Sequence, residues 1–160
     1  MIFGIGIDVL EAQRMHASYA RFGAHLLERL LLPQERSQFE FTRRPERFLA
    51  MHFAAKEAIV KAMGTGFAHG VWIRDVGMVQ NAWGKPEVIY SARGDRLRRR
   101  MGIGEGHVTL TDEAGLVVAV AVLMRAGRSR RSSSKTKAKA KAKRAPAARA
   151  VARKPRSARR

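Results

Sequence analysis

Apolar and polar residues follow two rhythms along most of the chain, and both stop near residue 125. Residues 2–9 are a short apolar run interrupted by Gly4, Gly6 and Asp8, the pattern of a buried strand. From 11 to 32, Met15, Tyr19, Phe22, Leu26, Leu27 and Leu30 recur at helical spacing, with Gly23 placed to divide the helix in two. Pro33 suits the first position of a second short helix through Phe39. The strongest helix is predicted from about Pro45 to Met63, rich in Ala, Leu, Met, Lys and Glu and free of internal proline. Gly64 supplies a left-handed stop, and Gly66 keeps the next backbone permissive.

Beyond that glycine turn, Val71 to Val79 reads as a strand with an irregular start. Gly84-Lys85-Pro86 is a turn, and Glu87 to Tyr90 is the returning strand. Ser91 is placed to cap a helix from Ala92 to about Met101. Gly102, Gly104 and Gly106 read as a loop, followed by a hairpin of His107–Thr111 and Gly115–Met124 turning at residues 112–114. The order β-α-α-α-β-β-α-β-β predicts a compact α+β domain over residues 1–124, with a mixed or antiparallel sheet covered by helices.

Residues 125–160 have a different character. From Ala126 on, Ser, Ala, Lys, Arg and Pro alternate without an aromatic residue and with almost no large aliphatic one. Such a segment cannot bury enough apolar surface to offset the entropy of ordering, so a disordered tail is expected.

Charge sharpens this division. Of the 32 Lys and Arg in the 160 residues, 16 fall in residues 1–124 against 13 acids, and 16 fall in residues 125–160 against none. The net charge of +19 therefore describes the tail, while the domain is close to neutral. The absence of cysteine excludes disulfides, zinc–thiolate sites and thiol catalysis. The N-terminal run has no basic region before it and meets Asp8, which is not the pattern of a signal peptide. No apolar run approaches the ~18 residues of a spanning helix. A cytoplasmic protein with no membrane partner is expected.

Candidate chemistry begins with Asp8, because an acid in a buried strand is costly without a backbone donor, an arginine or a metal beside it. Glu57 and Lys61 lie four apart on the main helix; alone, such a pair is usually a surface contact worth a few tenths of a kcal/mol. Two carboxylates from different elements, completed by water and substrate phosphates, make a typical shell for magnesium. Lys61 would neutralise phosphate charge, and backbone amides of Gly64, Thr65 and Gly66 would hold phosphate oxygens. His107, on a strand, is more often structural. Gly4 and Gly6 lack the third glycine of a dinucleotide fingerprint, and Gly84-Lys85-Pro86 lacks the spacing of a P-loop.

Together these pieces carry a resemblance. Gly4-Ile5-Gly6-Ile7-Asp8-Val9 with Glu11 and Arg14, Phe53-Ala54-Ala55-Lys56-Glu57-Ala58 with Lys61, Gly64, Thr65 and Gly66, Gly84-Lys85-Pro86, and His107 to Asp112 resemble, in order, the motifs of holo-[acyl-carrier-protein] synthases. The resemblance spans about residues 1–124. It implies a 4′-phosphopantetheinyl-transferase-like fold, a homotrimer with active sites between subunits, and transfer of phosphopantetheine from coenzyme A to a serine of apo acyl carrier protein, as in fatty acid biosynthesis. It further implies that Asp8 and Glu57 hold Mg²⁺, and that Lys61 and His107 serve the phosphates. Gly64, Thr65, Gly66, Lys85 and Pro86 would contact coenzyme A, and Arg14 would face the carrier protein. Three departures stand out: His52 where the family often has Arg, implying a weaker or pH-dependent phosphate contact; Leu32 where a capping Thr is usual, with Glu35 retained; and Thr109 for a common serine.

The tail resembles basic, alanine-rich arms that bind nucleic acid non-specifically through counterion release. The competing reading of the whole chain is a non-enzymatic nucleic-acid-binding protein whose domain only presents that tail.

Overall fold

Two glycines set the architecture. A Cβ on Gly4 or Gly6 would lie 2.1 Å from the carbonyl oxygen of Ala62 or Ala58, so the first strand and the main helix meet backbone to backbone. In the computed structural model, residues 1–127 are described. The disorder expected of the basic tail, and its expected nucleic-acid contacts, lie outside the described residues.

The elements are β1 (Ile2–Glu11), α1 (Ala12–Leu30), α2 (Pro33–Phe39), α3 (Pro45–Met63), a 3-10 turn (Ile73–Asp75), β2 (Val76–Gln80), β3 (Pro86–Tyr90), α4 (Ala92–Arg100), β4 (Ile103–Glu113) and β5 (Leu116–Arg125). One five-stranded sheet has the order β1-β5-β4-β3-β2, and every pairing is antiparallel. The fold is the expected α+β, and the sheet is antiparallel rather than mixed.

α3 packs across β1 and β5. Its Leu49, Ala50, Ala54, Ala55, Ala58, Ile59 and Val60 are fully buried against Ala119, Ala121 and Leu123 of β5. Small residues on both surfaces allow this approach, and each fully buried large aliphatic contributes about 1.5–3 kcal/mol. The other face of β1 is open: Ile5, Ile7 and Val9 are 56–62% exposed. Through direct cross-strand pairs they continue onto Val122, Val120 and Val118 of β5, and then onto His107, Thr109 and Thr111 of β4.

Three boundaries differ from expectation. The strand expected from Val71 starts only at Val76, because Asp75 folds the preceding residues into a turn: its carboxylate accepts from the Trp72 amide at 2.8 Å, from the Ser91 hydroxyl and from Arg93. Gly104 and Gly106 belong to β4 rather than a loop. There the register with β5 shifts, and a Cβ on Gly106 would lie 2.8 Å from the Leu123 side chain. The hairpin turns at Ala114 and Gly115, whose φ values are 50° and 80°, so β4 runs two residues further than expected. Gly23 does break α1, at φ 48° and ψ −127°, and the change of direction leaves Phe22, expected on the buried stripe, 49% exposed.

Candidate active site

Asp8 pairs across β1–β5 with buried Ala119 and therefore faces α3, alongside Gly6 and Leu10. Its carboxylate accepts a hydrogen bond from the Lys61 ammonium at 2.8 Å. Glu57, one turn earlier on α3, is half-buried. Burial pushes its carboxyl group up, the negative charge of Asp8 pushes it further, and Lys61 pulls it back. Lys61 thus pairs with Asp8 on the strand rather than with Glu57 on its own helix. Two carboxylates crowd one ammonium, so an added cation relieves the repulsion. Among the described residues no three His, Cys, Asp or Glu side chains converge. A cation here would take two carboxylates and fill the rest of its shell from water and phosphate oxygens, an all-oxygen set of the kind Mg²⁺ accepts.

What keeps Glu57 facing outward is its neighbour. Lys56 points into the core, with its ammonium 2.7 Å from Glu35 Oε2 and 2.6 Å from the Val76 carbonyl, and both charged side chains are fully buried. Glu35 also accepts from the Leu32 amide at 2.7 Å and the Met78 amide at 3.0 Å. Burial raises the Glu35 carboxyl and lowers the Lys56 ammonium, and each partner's charge opposes the shift. This pair ties α2 and α3 to β2. Leu32 has no side-chain acceptor for the α2 amides, but Glu35 still holds the Leu32 amide, so half of a capping box survives.

His52 does not reach a phosphate site. It is 2% exposed, stacked on Phe48 at 3.7 Å, and its Nδ1 is 2.8 Å from the Phe48 carbonyl. Burial lowers its pKa to about 4, so the ring is neutral near pH 7. The pH-dependent phosphate contact expected for it is therefore corrected to a role in the core.

The Gly64–Gly66 loop also differs in detail. Gly64 is left-handed at φ 78°, as its position requires. The amides of Gly64, Thr65 and Gly66 donate to the carbonyls of Lys61 and Val60, satisfying the end of α3. They are not available for phosphate oxygens as expected, and the Thr65 hydroxyl also donates, at 3.5 Å, to the Val60 carbonyl.

Lys85, Pro86 and His107 meet elsewhere. β3 and β4 share a single bridging pair, Glu87 with His107, and a polar cleft of about 400 Å³ opens between them, lined also by Tyr90, Arg98 and Glu105. His107 is half exposed and 3.8 Å from Glu105. Asn81 fixes the entering turn by accepting from the amides of Trp83 and Lys85. His107 pairs with Val122, whereas Asp8 pairs with Ala119, so the two lie on opposite faces of the sheet. The chain therefore places these residues in two separate clusters: Asp8, Glu57 and Lys61 in one, and Lys85, Pro86 and His107 in the other. Arg14 lines a third feature, an apolar groove of about 230 Å³ with Met15, with Leu10 (two residues past Asp8 on β1) and with Phe53 (one turn before Glu57 on α3).

Comparison with known proteins agrees with this geometry. Residues 4–121 match the family model of the 4′-phosphopantetheinyl transferase superfamily. The holo-[acyl-carrier-protein] synthase of Thiobacillus denitrificans is 42% identical over 123 residues, covering 77% of this chain and 94% of that one. The crystal structure of the Neisseria meningitidis enzyme matches with a TM-score of 0.73 at 35% identity, covering 78% of this chain and all of that one. The Helicobacter pylori enzyme, solved in complex with coenzyme A, matches with a TM-score of 0.65 at 26% identity, over 74% and 98% of the two chains. With a relative this similar along nearly its whole length, and with the family model matched over residues 4–121, the chain belongs to the 4′-phosphopantetheinyl transferase superfamily, among the holo-[acyl-carrier-protein] synthases.

Proposed function

We propose that the protein acts in the cytoplasm as a Mg²⁺-dependent homotrimer that moves 4′-phosphopantetheine from coenzyme A to a serine of apo acyl carrier protein. The observation that carries this reading is the Asp8–Glu57 carboxylate pair beside Lys61, on the elements the family motifs occupy. In the reaction the serine oxygen forms a bond to the phosphorus that bears pantetheine. The bond from that phosphorus to the bridging oxygen breaks, and adenosine 3′,5′-bisphosphate leaves while the serine proton is released. Such a transfer depends on charge neutralisation and in-line positioning more than on a strong nucleophile. Asp8 and Glu57 would hold Mg²⁺, which when bound draws charge from the pyrophosphate oxygens. Lys61, half exposed beside them, neutralises phosphate charge or relays the serine proton.

Lys85, Pro86 and His107 receive coenzyme A in the β3–β4 cleft, and Gly64, Thr65 and Gly66 bound it from the end of α3. Arg14 and its apolar groove receive the carrier protein, whose serine must arrive next to the carboxylates; the groove is lined by Leu10 and Phe53, neighbours of Asp8 on β1 and of Glu57 on α3. The trimer reading is supported by the open apolar face of β1 and β5, which monomers rarely leave uncovered. It is also supported by the placement of the two clusters on opposite faces, since a neighbouring subunit can bring a second chain's cleft to the carboxylates of the first. Among the described residues no helix is long and apolar enough to cross a membrane.

The experiment is a mass measurement on apo carrier protein incubated with the enzyme, coenzyme A and Mg²⁺. One phosphopantetheine should be added to one serine, and chelation should stop it. A carrier protein of unchanged mass overturns the proposal, and full conversion in chelator overturns its metal.

A further inference from the structure

Trp83 does nothing for the fold. It sits at the tip of the turn between β2 and β3 and is 93% exposed, the most open large apolar side chain among the described residues. Trp72 is exposed as well, but the Arg93 guanidinium lies over its ring at 4.4 Å. Among the described residues no aromatic ring or cation covers Trp83. A single exposed apolar side chain is ordinary; the turn and the cleft beside it give this one meaning. Asn81 Oδ1 accepts from the Trp83 and Lys85 amides at 2.9 and 3.1 Å. The Asn81 amide donates to the Lys85 carbonyl at 3.0 Å, and its Nδ2 donates to Glu87 Oε1 at 2.9 Å. The indole is thus carried on a fixed turn, and a ligand that meets it has little backbone left to order.

The neighbours of Trp83 indicate the class of ligand. Lys85 is two residues further on, so the two Cα atoms are at most ~7.6 Å apart. It lines the β3–β4 cleft with Arg98 and His107. An open aromatic face beside a cationic cleft suits a molecule with a planar base at one end and phosphates beyond it. The cleft, at about 400 Å³, is also of a size that takes such a ligand. We infer that Trp83 is the platform on which the adenine base of coenzyme A stacks, with the phosphates lying toward Lys85 and His107. The inference rests on the transferase reading, which supplies coenzyme A as the ligand of the cleft, and adds a residue that reads its base. Trp83 acts on binding rather than on the transfer step. It holds coenzyme A and the released adenosine 3′,5′-bisphosphate alike, because both keep the base.

The test uses the full chain and two readouts. The sequence has two tryptophans, so Trp72→Phe leaves Trp83 as the sole indole reporter. Titration with adenosine 3′,5′-bisphosphate should quench its emission saturably, whereas 4′-phosphopantetheine, which lacks the base, should not. With Trp72 in place, Trp83→Ala should raise KM for coenzyme A at least about 5-fold, the lower end of what stacking on one base contributes. Its kcat, its KM for carrier protein and its unfolding transition should stay as in the parent. Trp83→Tyr should recover most of the affinity, because it restores a ring. Emission that ignores the bisphosphate, equal quenching by phosphopantetheine, or an unchanged KM for coenzyme A overturns the inference. A raised KM for carrier protein in place of coenzyme A assigns Trp83 to that partner and overturns it as well. The two readings fail separately. Quenching by the bisphosphate in a chain that transfers nothing would sink the transferase reading and keep the base contact, while normal transfer with a silent Trp83 would sink this inference alone.

Discussion

Asp8→Ala and Glu57→Ala should each lower kcat/KM for carrier-protein modification by at least about 10²-fold, the loss typical when one electrostatic stabiliser of a charged transition state is removed. Neither change should unfold the domain. Asp8 accepts from Lys61, which is 47% exposed and can be hydrated when its partner is removed. Glu57 is half-buried and pays for its position with a carboxyl group pushed up by burial and by Asp8. Loss of either carboxylate should also raise the Mg²⁺ concentration needed for half-maximal activity. Lys61→Ala should behave differently, since it leaves two carboxylates without their ammonium. It should impair turnover while Mg²⁺ still binds. The check is initial rate against Mg²⁺ concentration for the three variants beside the unsubstituted enzyme, with unfolding curves as the control for folding. Variants of Asp8 and Glu57 with ordinary rates and ordinary Mg²⁺ dependence would remove the pair from the mechanism.

The second large effect concerns stability. Glu35→Gln or Lys56→Met alone should cost about 3–5 kcal/mol, because each leaves the partner's charge buried and unpaired. Glu35 has more to lose than one ion pair, since it also accepts from the amides of Leu32 and Met78. Lys56 likewise holds the Val76 carbonyl. Replacing both together should cost clearly less than the sum of the single changes, since removing both charges avoids an orphaned ion. Denaturant unfolding of the two single variants and the double variant measures this coupling. Single variants as stable as the parent would mean that the pair is not buried in the folded protein.

That pair also marks a limit of what the sequence discloses. Lys56 and Glu57 are adjacent charged residues on a strong helix, and periodicity alone does not reveal that one enters the core while the other faces a site. The partner of Lys56 lies 21 residues away on a short helix, where Glu35 looks like an ordinary first-turn acid. The main helix itself was readable: its alanines, its proline start and its glycine stop are local signals, and α3 spans Pro45–Met63 as the pattern predicts. Asp8 was readable as an anomaly but not as a partner of Lys61, because strand-to-helix contacts 53 residues apart leave no periodic trace. Gly104 and Gly106 misled in the opposite direction. They read as loop, yet they sit in β4, where the Leu123 and Tyr90 side chains crowd the space a Cβ on Gly106 would take. His52 looked like a replacement for a surface arginine, and only the packing against Phe48 places it in the core. The division of these residues between two faces of the sheet was hidden for a simple reason: which face His107 occupies depends on its register with Val122.

That division allows a direct test of the proposed site. Glu57→Gln and His107→Ala chains are each expected to be inactive as homotrimers, one lacking a carboxylate and the other a cleft residue. Co-expressed in equal amounts and assayed as the whole mixture of trimers, they should recover about a quarter of normal transfer activity. In a ring of three, a complete site needs Glu57 from one chain and His107 from its neighbour, and random mixing supplies that combination at about one interface in four. Recovery near that fraction supports a transfer site completed between subunits by Asp8, Glu57 and Lys61 of one chain and the cleft of the next. Mixed trimers with no activity beyond that of the two parents would contradict it.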